Sequence, residues 1–184
     1  MGAHYDLCQL TTKRFLKDSK VVVFEYQSFA TNEYPDVLCY GKHTILFEIK
    51  VSKSDFKQDS GKRCRSKVTI KYFPYLRNWM NTDRVKSIDW KTHGMQEFIR
   101  EAPHLGRERY YVCPEGLIKP DEVLNGWGLY WVKDGKFRKK KASKTFRNNI
   151  HDEIALVCHA FRKYASGDQT NVLVNTYKMN KKGK

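Results

Sequence analysis

The sequence predicts one α/β domain with a central mixed β-sheet flanked by helices, on three observations. Its 184 residues suit a single compact unit, because domain sizes centre on roughly 100–150 residues. With 40% apolar and 14% aromatic residues the chain can bury a core and lacks the composition of a disordered protein. Its apolar positions also change period along the chain, so that helical stripes alternate with groups of strand-like runs.

Across residues 5–17, Leu7, Leu10, Phe15 and Leu16 fall on one stripe of a helix. Residues 21–27 are β-branched and aromatic, 36–40 short and apolar, and 44–51 strand-like after the turn-forming Gly41-Lys42. These are three successive strands, and the second connection is too short for a parallel crossover, so the last two form an antiparallel hairpin. Ser52 opens a helix through Ser-Lys-Ser-Asp-Phe-Lys-Gln-Asp. Residues 61–105 are dense in basic and aromatic side chains and carry one short helix near 96–101. Residues 109–113 and 128–132 read as strands, joined by Pro114-Glu115-Gly116 and a helical turn at 120–124. Lys133-Asp134-Gly135-Lys136 signals a tight turn, which pairs Phe137 onward with the preceding strand. In the last helix Ile150, Ile154, Val157, Cys158, Phe161 and Tyr164 make one apolar face.

Thirty-five Lys and Arg against 20 Asp and Glu leave a net charge of +15, which attracts polyanions. Residues 57–77 carry seven basic residues against one acid, 133–147 eight against one, and 178–184 four. Together they exceed the whole net charge, so the positive field is localised. Aromatic residues interleave with the first two segments, a pattern suited to nucleic acid. No apolar run reaches the roughly 18 residues of a membrane span, and the N-terminus carries no secretory or myristoylation pattern. The expected setting is therefore cytoplasmic, without membrane attachment. Cys8, Cys39, Cys64, Cys113 and Cys158 form no Cys-x-x-Cys pair and read as buried reduced thiols. His151 and His159 read as surface residues of the last helix.

The chemistry concentrates on Asp36, which opens the second strand after Pro35, and on Glu48-Ile49-Lys50 in the third. Strand alternation puts Glu48 and Lys50 on one face and Ile49 on the core side. Paired with the second strand, that face meets Asp36, and two carboxylates brought together are held by a divalent ion such as Mg²⁺ or Mn²⁺. A neighbouring lysine can then position water and stabilise charge on phosphorus. By spacing alone, a solvated Glu and Lys pair on a half-exposed strand fits too.

Pro35-Asp36 with Glu48-Ile49-Lys50 resembles the signature of the PD-(D/E)XK nuclease superfamily. The run Val51-Ser52-Lys53-Ser54-Asp55-Phe56 with Asp59 resembles its MmcB-like, DNA-repair-associated branch, as do Arg109 to Ile118 and Gly128-Leu129. The resemblance covers roughly residues 5–140, with 61–105 as a basic insertion, and implies a restriction-endonuclease-like fold. It implies Asp36, Glu48 and Lys50 as catalytic residues, with Asp36, Glu48 and the Ile49 carbonyl as metal ligands. Glu25 is either a water-mediated ligand or a surface residue. Tyr34 stands where relatives often carry a basic residue, and Asp55 and Asp59 fit capping or structural roles.

The expected function is a metal-dependent DNA nuclease, in repair or phage DNA processing, gripping DNA with Lys53, Lys57, Lys62, Arg63, Arg65, Lys67, Lys139, Lys140 and Lys141. A homodimer is compatible with this. The competing classes are a catalytically silent nucleic-acid-binding module on the same fold and a phage or host-defence interaction protein.

Overall fold

The computed structural model describes residues 2–26, 33–59, 67–73, 78–81, 96–101, 105–167 and 172–174. The chain divides into two compact units, one of Met1–Ser60 with His104–Lys184 and one of Gly61–Pro103. The second unit spans nearly the same residues as the basic insertion read from the sequence.

The first unit contains α1 (Ala3–Leu16), β1 (Val21–Phe24), β2 (Val37–Tyr40), β3 (Thr44–Ile49) and α2 (Lys53–Asp59). The second unit adds β4 (Lys67–Phe73), β5 (Asn78–Asn81) and β6 (Gln96–Glu101) as a three-stranded sheet ordered β5-β4-β6. The first unit then resumes with β7 (Glu108–Pro114), β8 (Gly128–Lys133), β9 (Lys136–Lys141), α3 (Ile150–Ala165) and β10 (Val172–Val174). Its seven strands form one mixed sheet ordered β10-β1-β2-β3-β7-β8-β9. Only β3-β7 and β7-β8 are parallel.

Alternation along these strands builds two cores. On one face Leu7, Cys8 and Phe15 of α1 pack over Val22, Val37, Phe47, Ile49 and Val112. On the other, Leu156 and Ala160 of α3 join Val23, Leu38, Leu46, Tyr111 and Leu129, with Phe56 of α2 against them. The β8-β9 hairpin turns at Asp134 (φ 49°) and Gly135 (φ 71°), two left-handed residues as a type I′ turn requires. Gly128 opens β8 because a Cβ there would collide with the Tyr110 ring.

Four expectations are corrected. Residues 96–101 form β6, not a helix: six residues are too few to sustain helix alone, and all six pair with β4 in antiparallel register. β1 ends at Phe24, and Glu25 leaves the strand with φ 43°. The apolar face expected to bury α3 faces outward, because Glu153, Leu156 and Ala160 are the residues turned inward. Cys158 is consequently exposed, whereas Cys8, Cys39 and Cys113 are buried; Cys64 lies outside the described residues. Among the described residues no helix is long and apolar enough to cross a membrane.

Candidate metal centre and nucleic-acid surface

The β2-β3 hairpin sets the centre. Val37 pairs with Phe47, so one further step of the antiparallel ladder sets Asp36 opposite Glu48. Asp36 accepts a hydrogen bond from the Ile49 amide (2.7 Å), which makes its carboxylate the last rung between the two strands. Its main-chain carbonyl accepts from the Glu25 amide (2.7 Å). Beside it opens a cleft of ≈ 310 Å³ lined by Glu25, Tyr26, Tyr34, Pro35 and Asp36. Tyr34 is exposed at this cleft.

Glu48 and Lys50 share a face as period two demands, and both are buried. The Lys50 ammonium lies 3.3 Å from Glu48 Oε2, 3.2 Å from Asp59 Oδ1 and 3.7 Å from Asp55 Oδ1. Asp55 and Asp59 are one turn apart on α2, which starts straight after β3, so the i,i+4 spacing aims both carboxylates back at the strand end. The Tyr111 hydroxyl donates to Asp59 Oδ2 (2.5 Å). Ser52 Oγ accepts from the Asp55 amide (3.2 Å) and caps the helix. The structural roles read for Asp55 and Asp59 therefore include holding the candidate catalytic lysine.

A further group comes from α1. His4 Nδ1 meets Glu25 Oε1 at 3.1 Å, and Nε2 lies 3.5 Å from Asp36 Oδ2. The left-handed turn at Glu25 carries its side chain off the strand alternation and toward α1. The hydrogen bond that its ring donates to Asp36, helped by Glu25, raises the His4 pKa above its ordinary 6.5 against the opposing effect of burial. Cys8, one turn along α1, has Sγ 3.6 Å from His4 Nδ1. Burial, then the charges of Asp36, Glu25 and Glu48, push its thiol far up. Sequence reasoning passed over His4; its only signal was the His4-Cys8 spacing of four on a helix.

The donors suit a hard divalent cation. Among the described residues, Asp36 and Glu48 offer carboxylate oxygens, and Glu25, Asp55 and Asp59 add negative charge near His4 and Lys50. His4, Cys8 and Glu25 also offer ligand atoms within 4.8 Å of one another. That trio is softer in chemistry, and its thiol is held protonated, so it reads as the hydrogen-bonded surround of Asp36.

The cations expected to grip DNA divide. Lys53 is paired with Glu122 (2.6 Å), Lys57 lies on α2, and Lys67 opens β4. Lys62, Arg63 and Arg65 lie outside the described residues, as does the 178–184 tail. Lys139 and Lys140 are exposed on β9, the sheet's outer strand. Lys139 stands over Tyr110 and Tyr130 (5.6 and 5.5 Å) and Lys140 over Trp131 (4.6 Å), while Lys141 donates to the Pro120 carbonyl (3.0 Å). Following Ile49, Val112, Tyr130 and Lys139 across the registers puts Lys139 level with Ile49, three strand spacings or roughly 14 Å away. Lysines on an edge strand also block sheet-to-sheet pairing.

No family model and no curated protein matches the chain. Among solved structures it is similar to the SPO1766 protein of unknown function from Silicibacter pomeroyi, with a TM-score of 0.52 and 13% identity over 90% of this chain and 91% of that one. At that identity the likeness concerns the α/β fold alone.

Proposed function

We propose that this chain is a Mg²⁺- or Mn²⁺-dependent deoxyribonuclease of the restriction-endonuclease-like kind. The observation that carries the reading is the strand-end constellation: Asp36 capping the ladder opposite Glu48, with the Lys50 ammonium 3.3 Å from the Glu48 carboxylate. The order of helix, three antiparallel strands, helix and a strand parallel to the third supports the same reading.

Asp36, Glu48 and the Ile49 carbonyl would hold the cation, which supplies Lewis-acid stabilisation and a more acidic water. The protein's own part is positioning. Asp59 and Asp55 hold the Lys50 side chain in one rotamer, so its ammonium is fixed before substrate arrives and stabilises the negative charge that grows on the phosphoryl oxygens. His4 orients Asp36 from the other side. The Tyr34 ring offers a stacking face to a base at the cleft, and β9 supplies charge for the backbone.

The test is incubation of the pure chain with plasmid, single-stranded circle and a branched junction, each with Mg²⁺, Mn²⁺ or EDTA. Cleavage with either metal and none with EDTA is expected. A protein that binds both DNA and Mg²⁺ but cuts none of the three substrates would instead be a silent binding module.

A further inference from the structure

Tyr26 lines the cleft beside Asp36 and ties that cleft to α3. Glu25, straight after β1, turns its side chain to His4 of α1. Tyr26 is instead buried on the opposite face of the sheet, with Leu38, Leu46, Leu156 and Ala160. Leu46, Glu48 and Lys50 alternate onto that same face. Tyr26 therefore stands on the side of the sheet that carries Glu48 and Lys50.

α3 meets Tyr26 with His159 and Lys163. The Tyr26 hydroxyl is 3.0 Å from His159 Nδ1, and the two rings stand edge to face at 5.7 Å. The Lys163 ammonium lies 5.9 Å from the centre of the Tyr26 ring. Arg162 is three residues from His159 and next to Lys163, so helical spacing puts all three on one side of α3. Burial pushes the Tyr26 pKa up, and the Arg162 charge opposes it. Arg162 and Lys163 are exposed, and among the described residues neither is ion-paired, whereas Arg14, Lys53, Lys133 and Arg138 each meet a carboxylate. Cations in the last turn of a helix complement its dipole, but that role calls for no aromatic wall and no cleft. A DNA strand with its scissile phosphate on a cation at Asp36 is repelled by the Glu25 carboxylate along the cleft. Positive charge beyond Tyr26 offsets that repulsion at the next phosphate.

We infer that the last turn of α3 is the subsite for the phosphate next to the one cut, held by Arg162 and Lys163 with Tyr26 and His159 as their supporting wall. This rests on the proposed deoxyribonuclease activity, and two measurements separate them. One is binding of a labelled duplex and a labelled single strand over a salt series in EDTA, and the other is steady-state cleavage with Mg²⁺. Arg162→Ala with Lys163→Ala should flatten the log–log salt slope by roughly 0.7–0.9 per cation. It should raise KM about tenfold with kcat within about twofold. Lys20→Ala with Lys42→Ala removes the same charge from exposed positions at the other end of the strands and should do neither. Equal losses in the two double variants would overturn the inference. So would an α3 variant that loses only thermal stability, which would leave its cations to the helix dipole. A wild type that cuts nothing but shows the α3-dependent slope sinks the nuclease reading and keeps the phosphate contact. Cleavage whose KM the α3 variant leaves unmoved does the reverse, and a chain that binds no DNA overturns both.

Discussion

The strand end of β3 and the outer strand β9 both carry lysines, under opposite conditions. Lys50 is buried and meets three carboxylates at 3.2 to 3.7 Å. Lys139 and Lys140 are exposed and set their ammonium groups over aromatic rings. A net +15 thus says nothing about the centre, where acids outnumber bases. Position separates a lysine locked among buried carboxylates from lysines open to solvent.

The largest test of this contrast removes Lys50. Lys50→Ala leaves Glu48 and Asp59 buried without their cation, and breaking a buried pair from one side costs about 3–5 kcal/mol. Urea unfolding should register that loss, and adding Asp59→Asn should recover part of it. Unchanged stability would mean that Lys50 is as solvated as the lysines of β9. Turnover should fall by roughly 10²-fold in either background.

Next in size is Asp36→Asn. The amide oxygen can still accept from Ile49, so the ladder survives while the ligand charge is lost. Mg²⁺ affinity measured by calorimetry should drop about tenfold, or ~1.4 kcal/mol, with DNA affinity in EDTA unchanged. On β9 the outcome should invert. Replacing Lys139, Lys140 and Lys141 by Ala should leave stability within about 0.5 kcal/mol per site. The log–log salt dependence of DNA binding should flatten by roughly 0.9 for each phosphate contact removed, and an unaltered slope would make the strand a protected edge only.

The smallest effect belongs to the surface pairs. Lys53 holds the Glu122 carboxyl below its ordinary 4.5, and Lys133, with Arg138, does the same for Glu115. Folded values lowered in this way stabilise the protein above pH 4.5, and the contribution is lost as pH falls through the folded values. Glu115→Gln with Glu122→Gln should therefore shift only the acid limb of the stability profile, slightly, and 1 M salt should erase the difference.

What could be read from sequence was what short-range pattern determines. α1, the three strands, the Asp134-Gly135 hairpin and the sharing of a face by Glu48 and Lys50 all follow from local period and turn chemistry. α3 was found but its buried side was not, because the choice is made by Glu153 bonding to Thr44 and Gly106, residues far away in the chain. β6 was misread because its partner β4 lies in a stretch with no clear period. His4 was missed because its meaning depends on Glu25 leaving β1 in a left-handed turn, which no residue type there announces.

The second unit is spliced into the connection between two parallel neighbours, β3 ending at Ile49 and β7 starting at Glu108. Closing that loop is an entropic matter whose cost grows only logarithmically. Compared with the dozen residues a parallel crossover needs, the extra length is a little over two doublings, or roughly 1.3 kcal/mol in all. Folding speed suffers more than stability, since β3 must wait for a strand made much later. Excision of residues 61–103 with a short Gly-Ser bridge should therefore speed the pairing of β3 with β7, visible as faster protection of the Lys50 amide, which bonds the Val112 carbonyl (2.9 Å), in pulsed hydrogen exchange.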